Sequence, residues 1–148
     1  MKRLTTTYDI EVCEQKLAPK NLVLSVVYNW INSNRRDSPV WQRGLLKVGG
    51  AQKLLEIWQD ETADSQDDGE EYPCRYWVLA IVGRMMGTQQ ESRVHLISEG
   101  LVSVILEGTR HHNDDIRECA VCALKGLIQH PEGREVVTYK TLIECLAR

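Results

Sequence analysis

The chain has 148 residues, enough for one domain with a modest core. Its 43% apolar and 26% charged residues are those of an ordinary soluble globule. A net charge of −3 gives no general attraction to phosphate backbones or anionic membranes, so neither nucleic acid nor a membrane surface is an expected partner.

In chain order, Tyr8 to Leu17 carries a short helical pattern, after which Pro19 can open the next helix. That helix, about Lys20 to Asn32, places Lys20, Val23, Val26, Val27 and Trp30 on one stripe. The polar stretch Asn32 to Pro39 ends it, with Arg35-Arg36 in a solvated turn. A short helix from about Val40 to Val48 stops at Gly49-Gly50, residues suited to the left-handed conformation of a helix end. A middle helix follows, about Ala51 to Gln59, with Leu54, Leu55 and Trp58 on one side. Asp60 to Glu71 then holds seven carboxylates and no large apolar residue, which makes an acidic, solvated loop.

Pro73 precedes a long helix from about Cys74 to Met86, whose stripe read from Arg75 is Val78, Ile81, Val82 and Met85. After a turn at Gly87 the scheme returns: a short helix about 91–98, Gly100, a middle helix about 101–109, a turn at His111-His112-Asn113, and a long helix about 115–129. This last helix reads R-x-x-A-x-x-A-L-x-x-L from Arg117, with Ala120, Ala123, Leu124 and Leu127 on its stripe. Asp114 and Asp115 stand where carboxylates cap the first N–H groups. So narrow and alanine-rich a stripe requires close approach by other helices. After Pro131 a final unit begins, with Arg134 at the place of Arg93 and Thr141 at the place of Gly100. A short helix is therefore expected to stop near Thr141 and a second to start at Leu142-Ile143.

Two blocks thus alternate in fixed order. Arg75 lies 55 residues after Lys20, and Arg117 lies 42 after Arg75. Arg43 to Ile57 sits beside Arg93 to Glu107, with Leu46 on Leu96 and Gly50 on Gly100. A period near 42 residues signals a repeat array, and the acidic loop accounts for most of the excess in the first spacing.

Short helix, glycine, middle helix and a long R-x-x-A-x-x-A-L-x-x-L helix together resemble the armadillo repeat, over about residues 20–148. The resemblance implies an all-α fold, a right-handed α-solenoid in one domain: a partial repeat 1–34, a repeat 39–87 containing the acidic loop 60–71, a repeat 90–130, and a truncated repeat or cap 132–148. In armadillo proteins the third helices line a concave face that binds extended peptides or partner domains. On this chain the outward positions of those helices, taken at i, i+4, are Asn21, Ser25 and Asn29, then Tyr76, Ala80 and Arg84, then Glu118, Cys122 and Gly126. Importin-like members place a Trp and an Asn on each third helix to hold basic nuclear-localisation peptides. Here the Trp positions hold Ser25, Ala80 and Cys122, and of the Asn positions only the first holds an asparagine, Asn29. The four tryptophans fall elsewhere, at packing positions. Nuclear-signal binding is therefore not expected.

Chemistry-bearing motifs are few. Cys119-x-x-Cys122 with His111 and His112 has zinc-ligand types, but the same two slots hold Trp77 and Ala80 in the preceding copy, so both cysteines are read as small helix residues. Asp64-Ser-Gln-Asp-Asp-Gly-Glu, set as a calcium loop, would put Arg75 where a bidentate Glu is required. No phosphate loop, nucleophile elbow or metalloprotease motif is present. No metal, cofactor or catalytic residue is expected.

The longest apolar run, Trp77 to Val82, is far short of the ~20 residues that a membrane helix needs. Met1 to Tyr8 has a basic start without an apolar run behind it. The five cysteines, Cys13, Cys74, Cys119, Cys122 and Cys145, are odd in number and irregular in spacing. They read as free thiols in a reducing compartment, the cytoplasm or the nucleus. The expected function is a non-catalytic protein-binding scaffold or adaptor, with self-association through the apolar C-terminal pattern Val136, Val137, Leu142, Ile143 and Leu146. The alternative is a chaperone cofactor, because some Hsp70 nucleotide-exchange factors and myosin co-chaperones are built on armadillo arrays. Release of ADP from Hsp70 separates the two.

Overall fold

The computed structural model describes residues 20–32, 36–60 and 72–147. The expected helix at Tyr8–Leu17, Arg35 and the acidic loop 61–71 lie outside the described residues. Those residues form eight packed helices and no strand: α1 (Lys20–Ile31), α2 (Ser38–Lys47), α3 (Gly50–Gln59), α4 (Cys74–Thr88), α5 (Gln90–Ser98), α6 (Leu101–Gly108), α7 (Asp114–Ile128) and α8 (Pro131–Ala147). None of them is long and apolar enough to cross a membrane.

Local chemistry sets the boundaries. α2 starts two residues before the expected position because Pro39 falls in its first turn, where a missing N–H costs nothing. The Ser38 hydroxyl there donates to the Ile31 carbonyl at 2.7 Å, tying the end of α1 to the start of α2. Gly49 and Gly100 both take positive φ, 86° and 87°, at the α2–α3 and α5–α6 corners. Gly50 plays a different part from Gly49. It is the first residue of α3, and a Cβ there would lie 2.5 Å from the Leu45 carbonyl.

Three expectations are corrected. The N-cap of α7 is Asn113, whose Oδ1 accepts from the N–H groups of Asp115 and Ile116, while Asp114 pairs with Arg117. Second, α8 runs unbroken through Thr141. A threonine does not supply the positive φ that Gly49 and Gly100 give, and the Thr138 hydroxyl turns back onto the Arg134 carbonyl within the helix. Third, the inward face of α1 is Asn21, Leu24 and Ile31, whereas Val23, Val26, Val27 and Trp30 are half-buried. Asn21 goes inside because its Nδ2 donates to the Tyr72 carbonyl at 3.3 Å, and Trp30 stacks at the edge on Trp41, 5.1 Å away.

α4 is the centre of the core. Val78, Leu79, Ile81, Val82, Met85 and Met86 are all fully buried, and α4 touches α1, α3, α5, α6 and α7. From α7 come Ile116, Ala120, Ala123 and Leu127, with Leu124 half-buried. Gly108 of α6 meets Ala120 so closely that a Cβ on the glycine would stand 2.7 Å from the alanine's. One buried polar chain joins α2, α4 and α5: Gln42 donates to Ser38 and Thr88 and accepts from Ser92.

The recurring arginines have a common use. Helix ends leave carbonyls without intrahelical donors. Arg75 donates through Nε to the Trp58 carbonyl near the end of α3, and Arg117 donates through Nη1 to the His111 carbonyl beyond α6. Arg93 and Arg134 act likewise from the short-helix side, on the Met86 and Ile128 carbonyls. Lys20 and Arg43, their counterparts in the first copies, are exposed.

Candidate functional site

α1, α4 and α7 lie side by side and run the same way. Asn21 meets Tyr72 at their N-terminal ends, and Arg84 Nη2 reaches Asn32 Oδ1 at 3.0 Å at their C-terminal ends. Between α4 and α7, Cys119 faces the Tyr76 carbonyl near one end, and Gly87 faces Gly126 near the other. The α4–α7 seam is the most extensive helix contact in the molecule. It closes tightly because its residues are small: a Cβ on Gly83 would stand 2.8 Å from that of Ala123.

Those small residues also make the floor of an open groove of about 700 Å³ across the three helices. Ala80, Gly83, Gly87, Ala123 and Gly126 lie along it, and larger side chains from α1, α4 and α7 form its walls. Of the nine outward positions read from the sequence, the structure brings seven to this groove: Asn29, Tyr76, Ala80, Arg84, Glu118, Cys122 and Gly126. Asn21 and Ser25 are not among its lining. Asn21 is buried against Tyr72, and the Ser25 hydroxyl donates to the Leu22 carbonyl of its own helix.

Sequence reasoning missed Tyr28, Tyr72, Trp77, Asp115 and Cys119, which also line the groove. An i, i+4 rule selects one line of residues per helix, whereas a groove wall takes a sector about 100° wide. Trp77 packs against the core as expected and also lines the groove; the adjacent Tyr76 at an outward position was the available signal for the second role.

The groove has two unlike ends. At the N-terminal end of α4, Tyr72 and Tyr76 stack at 4.0 Å, and Trp77 stands edge-on to Tyr28 and Tyr76, 5.8 and 5.2 Å away. The exposed carboxylates of Asp115 and Glu118 rim this aromatic cluster. Burial pushes the Tyr76 hydroxyl up to about 12, and the neighbouring Cys119, Tyr72, Tyr28 and Asp115 act in the same direction. The Cys119 thiol is likewise raised to about 12, first by burial and then by Cys122 and Glu118. It is a neutral, poorly nucleophilic thiol at physiological pH. No cluster of three or more His, Cys, Asp or Glu suited to a metal occurs among the described residues. His111 and His112 stack on each other at 4.4 Å, and His111 Nδ1 accepts from the Asn113 N–H.

At the other end stands Arg84. Its Nη2 is held by Asn32, its backbone carbonyl accepts from the Thr88 hydroxyl, and its buried Nε finds no acceptor among the described residues. Three other arginines are paired with carboxylates: Arg93 with Glu132, Arg110 with Glu144 and Arg117 with Asp114. Among the described residues Arg84, half-buried, meets only a neutral amide oxygen. No protein-family model, curated protein or solved structure matches the chain.

Proposed function

We propose that this chain is a non-catalytic protein-binding module of armadillo type, a right-handed α-solenoid that holds an extended peptide or a partner's loop in the groove across α1, α4 and α7. The observation that carries the reading is the groove itself: parallel long helices with small residues on the floor and aromatic and charged side chains on the walls. The array reading is supported by the two triplets α2–α3–α4 and α5–α6–α7. Each has a left-handed glycine between its short and middle helices and an arginine satisfying a carbonyl at the start of its long one. The groove offers surface rather than reactive groups: rings, a neutral thiol and a guanidinium. Tyr and Arg are frequent anchors of protein interfaces, and truncating one costs ~2 kcal/mol or more. Affinity is expected to depend most on Arg84, with Tyr76 and Asn29 contributing.

The test is selection of a random phage-displayed peptide library on the folded chain, followed by mapping of a selected peptide by amide chemical shifts. Shifts should concentrate on Asn29, Tyr76, Arg84 and Cys122, and Ala80→Trp, which fills the floor, should abolish them. A footprint on α2, α5 or α8, or no selectable peptide, would sink the proposal.

The far end of the molecule is a second contact surface. Tyr139, Leu142, Ile143 and Leu146 of α8 are 60%, 54%, 65% and 85% exposed, which leaves an apolar strip uncovered. Light scattering at rising concentration should show association that Leu142→Lys with Ile143→Glu suppresses. A monodisperse single chain at every concentration would exclude it.

A further inference from the structure

The two ends of the groove differ in charge, and on the reading just proposed this difference defines what the bound segment carries. Arg84 is a half-buried guanidinium that lines the groove and has no carboxylate partner among the described residues. A charge withdrawn from water without a counter-charge is costly, and the cost is recovered when an anion arrives. A carboxylate suits the planar fork of the guanidinium. The opposite end has the inverse character. Four aromatic rings, Tyr28, Tyr72, Tyr76 and Trp77, gather there beside the exposed carboxylates of Asp115 and Glu118. Aromatic faces with acidic neighbours attract a cation, whose alkyl stem also gains area against the rings.

We infer that the groove reads a bipolar peptide motif: a Lys or Arg seated among Tyr72, Tyr76 and Trp77 under Asp115 and Glu118, and an Asp or Glu side chain paired with Arg84. Geometry fixes the spacing. Tyr76 and Arg84 are eight residues apart on one face of α4, about 12 Å along its axis at ~1.5 Å per residue. An extended segment advances ~3.3 Å per residue, so the basic and acidic positions stand about three to four residues apart. The same two charges placed adjacent, or a run of one sign, cannot satisfy both ends together. Like-charge contact at the wrong end also disfavours competitors, so the motif is selected by repulsion as well as attraction.

The experiment extends the peptide selection to three folded proteins: the parent, Arg84→Glu, and Asp115→Lys with Glu118→Lys. The parent should enrich a basic and an acidic residue three or four positions apart. Arg84→Glu should lose the acidic preference alone, and the double variant the basic preference alone. One enriched peptide, synthesised with blocked termini, should weaken about tenfold or more on the parent when its acid becomes Gln. It should weaken little further on Arg84→Gln, which also serves if the charge reversal impairs folding. Peptides that bind the groove without an acidic residue, tolerate Gln there, or require a free C-terminus overturn the bipolar motif and leave the groove-binding proposal standing. Failure to select any peptide, or a footprint away from the groove, overturns both.

Discussion

Ala123→Leu will destabilise the chain by about 1–3 kcal/mol, the usual cost of overpacking, and a value at the upper end is expected. Ala123 sits in the α4–α7 seam where a Cβ on Gly83 would come within 2.8 Å of its own. Leucine adds three carbons to a place with no room for one. α4 cannot retreat, because Val82, Met85 and Met86 are fully buried against other helices. One turn further on the helices still run close, a Cβ on Gly126 standing 3.8 Å from the Gly87 Cα. For a domain of this size each kcal/mol lowers the thermal midpoint by ~2–4 °C, so a loss of several degrees is expected. Ala123→Gly provides the contrast, because it removes volume and costs only ~1 kcal/mol of helix propensity. A leucine variant that melts with the parent would show that the seam is not closed as described. Forcing the helices apart also reshapes the groove floor, so peptide binding should fall in any fraction that folds.

Arg93→Ala should cost about 2–4 kcal/mol, because both partners of a buried group lose their donor. The Arg93 side chain is 6% exposed, its Nε donates to Glu132 at 2.7 Å and its Nη1 to the Met86 carbonyl at 2.9 Å. One side chain therefore clamps the end of α4, the middle of α5 and the start of α8. Lysine should not restore it, having no fork to serve two acceptors in different directions. Arg134→Ala, at an exposed position with the same kind of carbonyl contact, should cost well under half as much. Urea midpoints of the three variants decide this. If Arg93→Ala and Arg134→Ala were equal, the clamp would contribute nothing special. Acid offers an independent check. The Arg93 hydrogen bond, with the Glu132 backbone, holds the Glu132 carboxyl below its ordinary value of 4.5. A lowered folded value means that the contribution is present at neutral pH and is lost as pH falls below 4.5 through the folded value. The stability difference between the parent and Glu132→Gln should shrink over that range and be flat above it.

The long helices were legible because their apolar residues recur at the helical period and their partners are apolar too. Val78, Ile81, Val82 and Met85 are buried as their spacing requires, and so are Ala120, Ala123 and Leu127. The turn glycines at 49 and 100 were legible because a positive φ leaves few alternatives. α1 was misread by one residue because Asn21 looks like a surface residue until the Tyr72 carbonyl, 51 positions away, is placed beside it. Gln42 belongs to the same class: its acceptors and donors sit on three helices, and no local pattern announces them. The analogy of Thr141 with Gly100 suggests a break in α8, although nothing in Thr138 to Ile143 obliges a helix to stop. In the groove, Asn29, Tyr76, Arg84 and Glu118 followed from the armadillo resemblance, which singles out the long helices, together with the i, i+4 rule. Tyr72 precedes its helix and Tyr28 lies beside the selected line, so only the packing of α1 against α4 brings them in.

The depth of α4 governs how the molecule breathes. Six of its side chains have no exposure at all, and five neighbouring helices rest on it. Its amide protons can meet solvent only when those neighbours leave, so their exchange should proceed through global unfolding. α8 packs mainly on α7 and α5, reaches α6 and its end through Lys140–Ser103 and Arg110–Glu144, and has four large apolar side chains in water. Its amides should exchange through a smaller opening that leaves α4 and α7 intact. Native-state hydrogen exchange in low denaturant would then resolve a protected spine and a labile end. The groove, whose floor belongs to α4 and α7, would keep its shape while the C-terminal helix comes and goes.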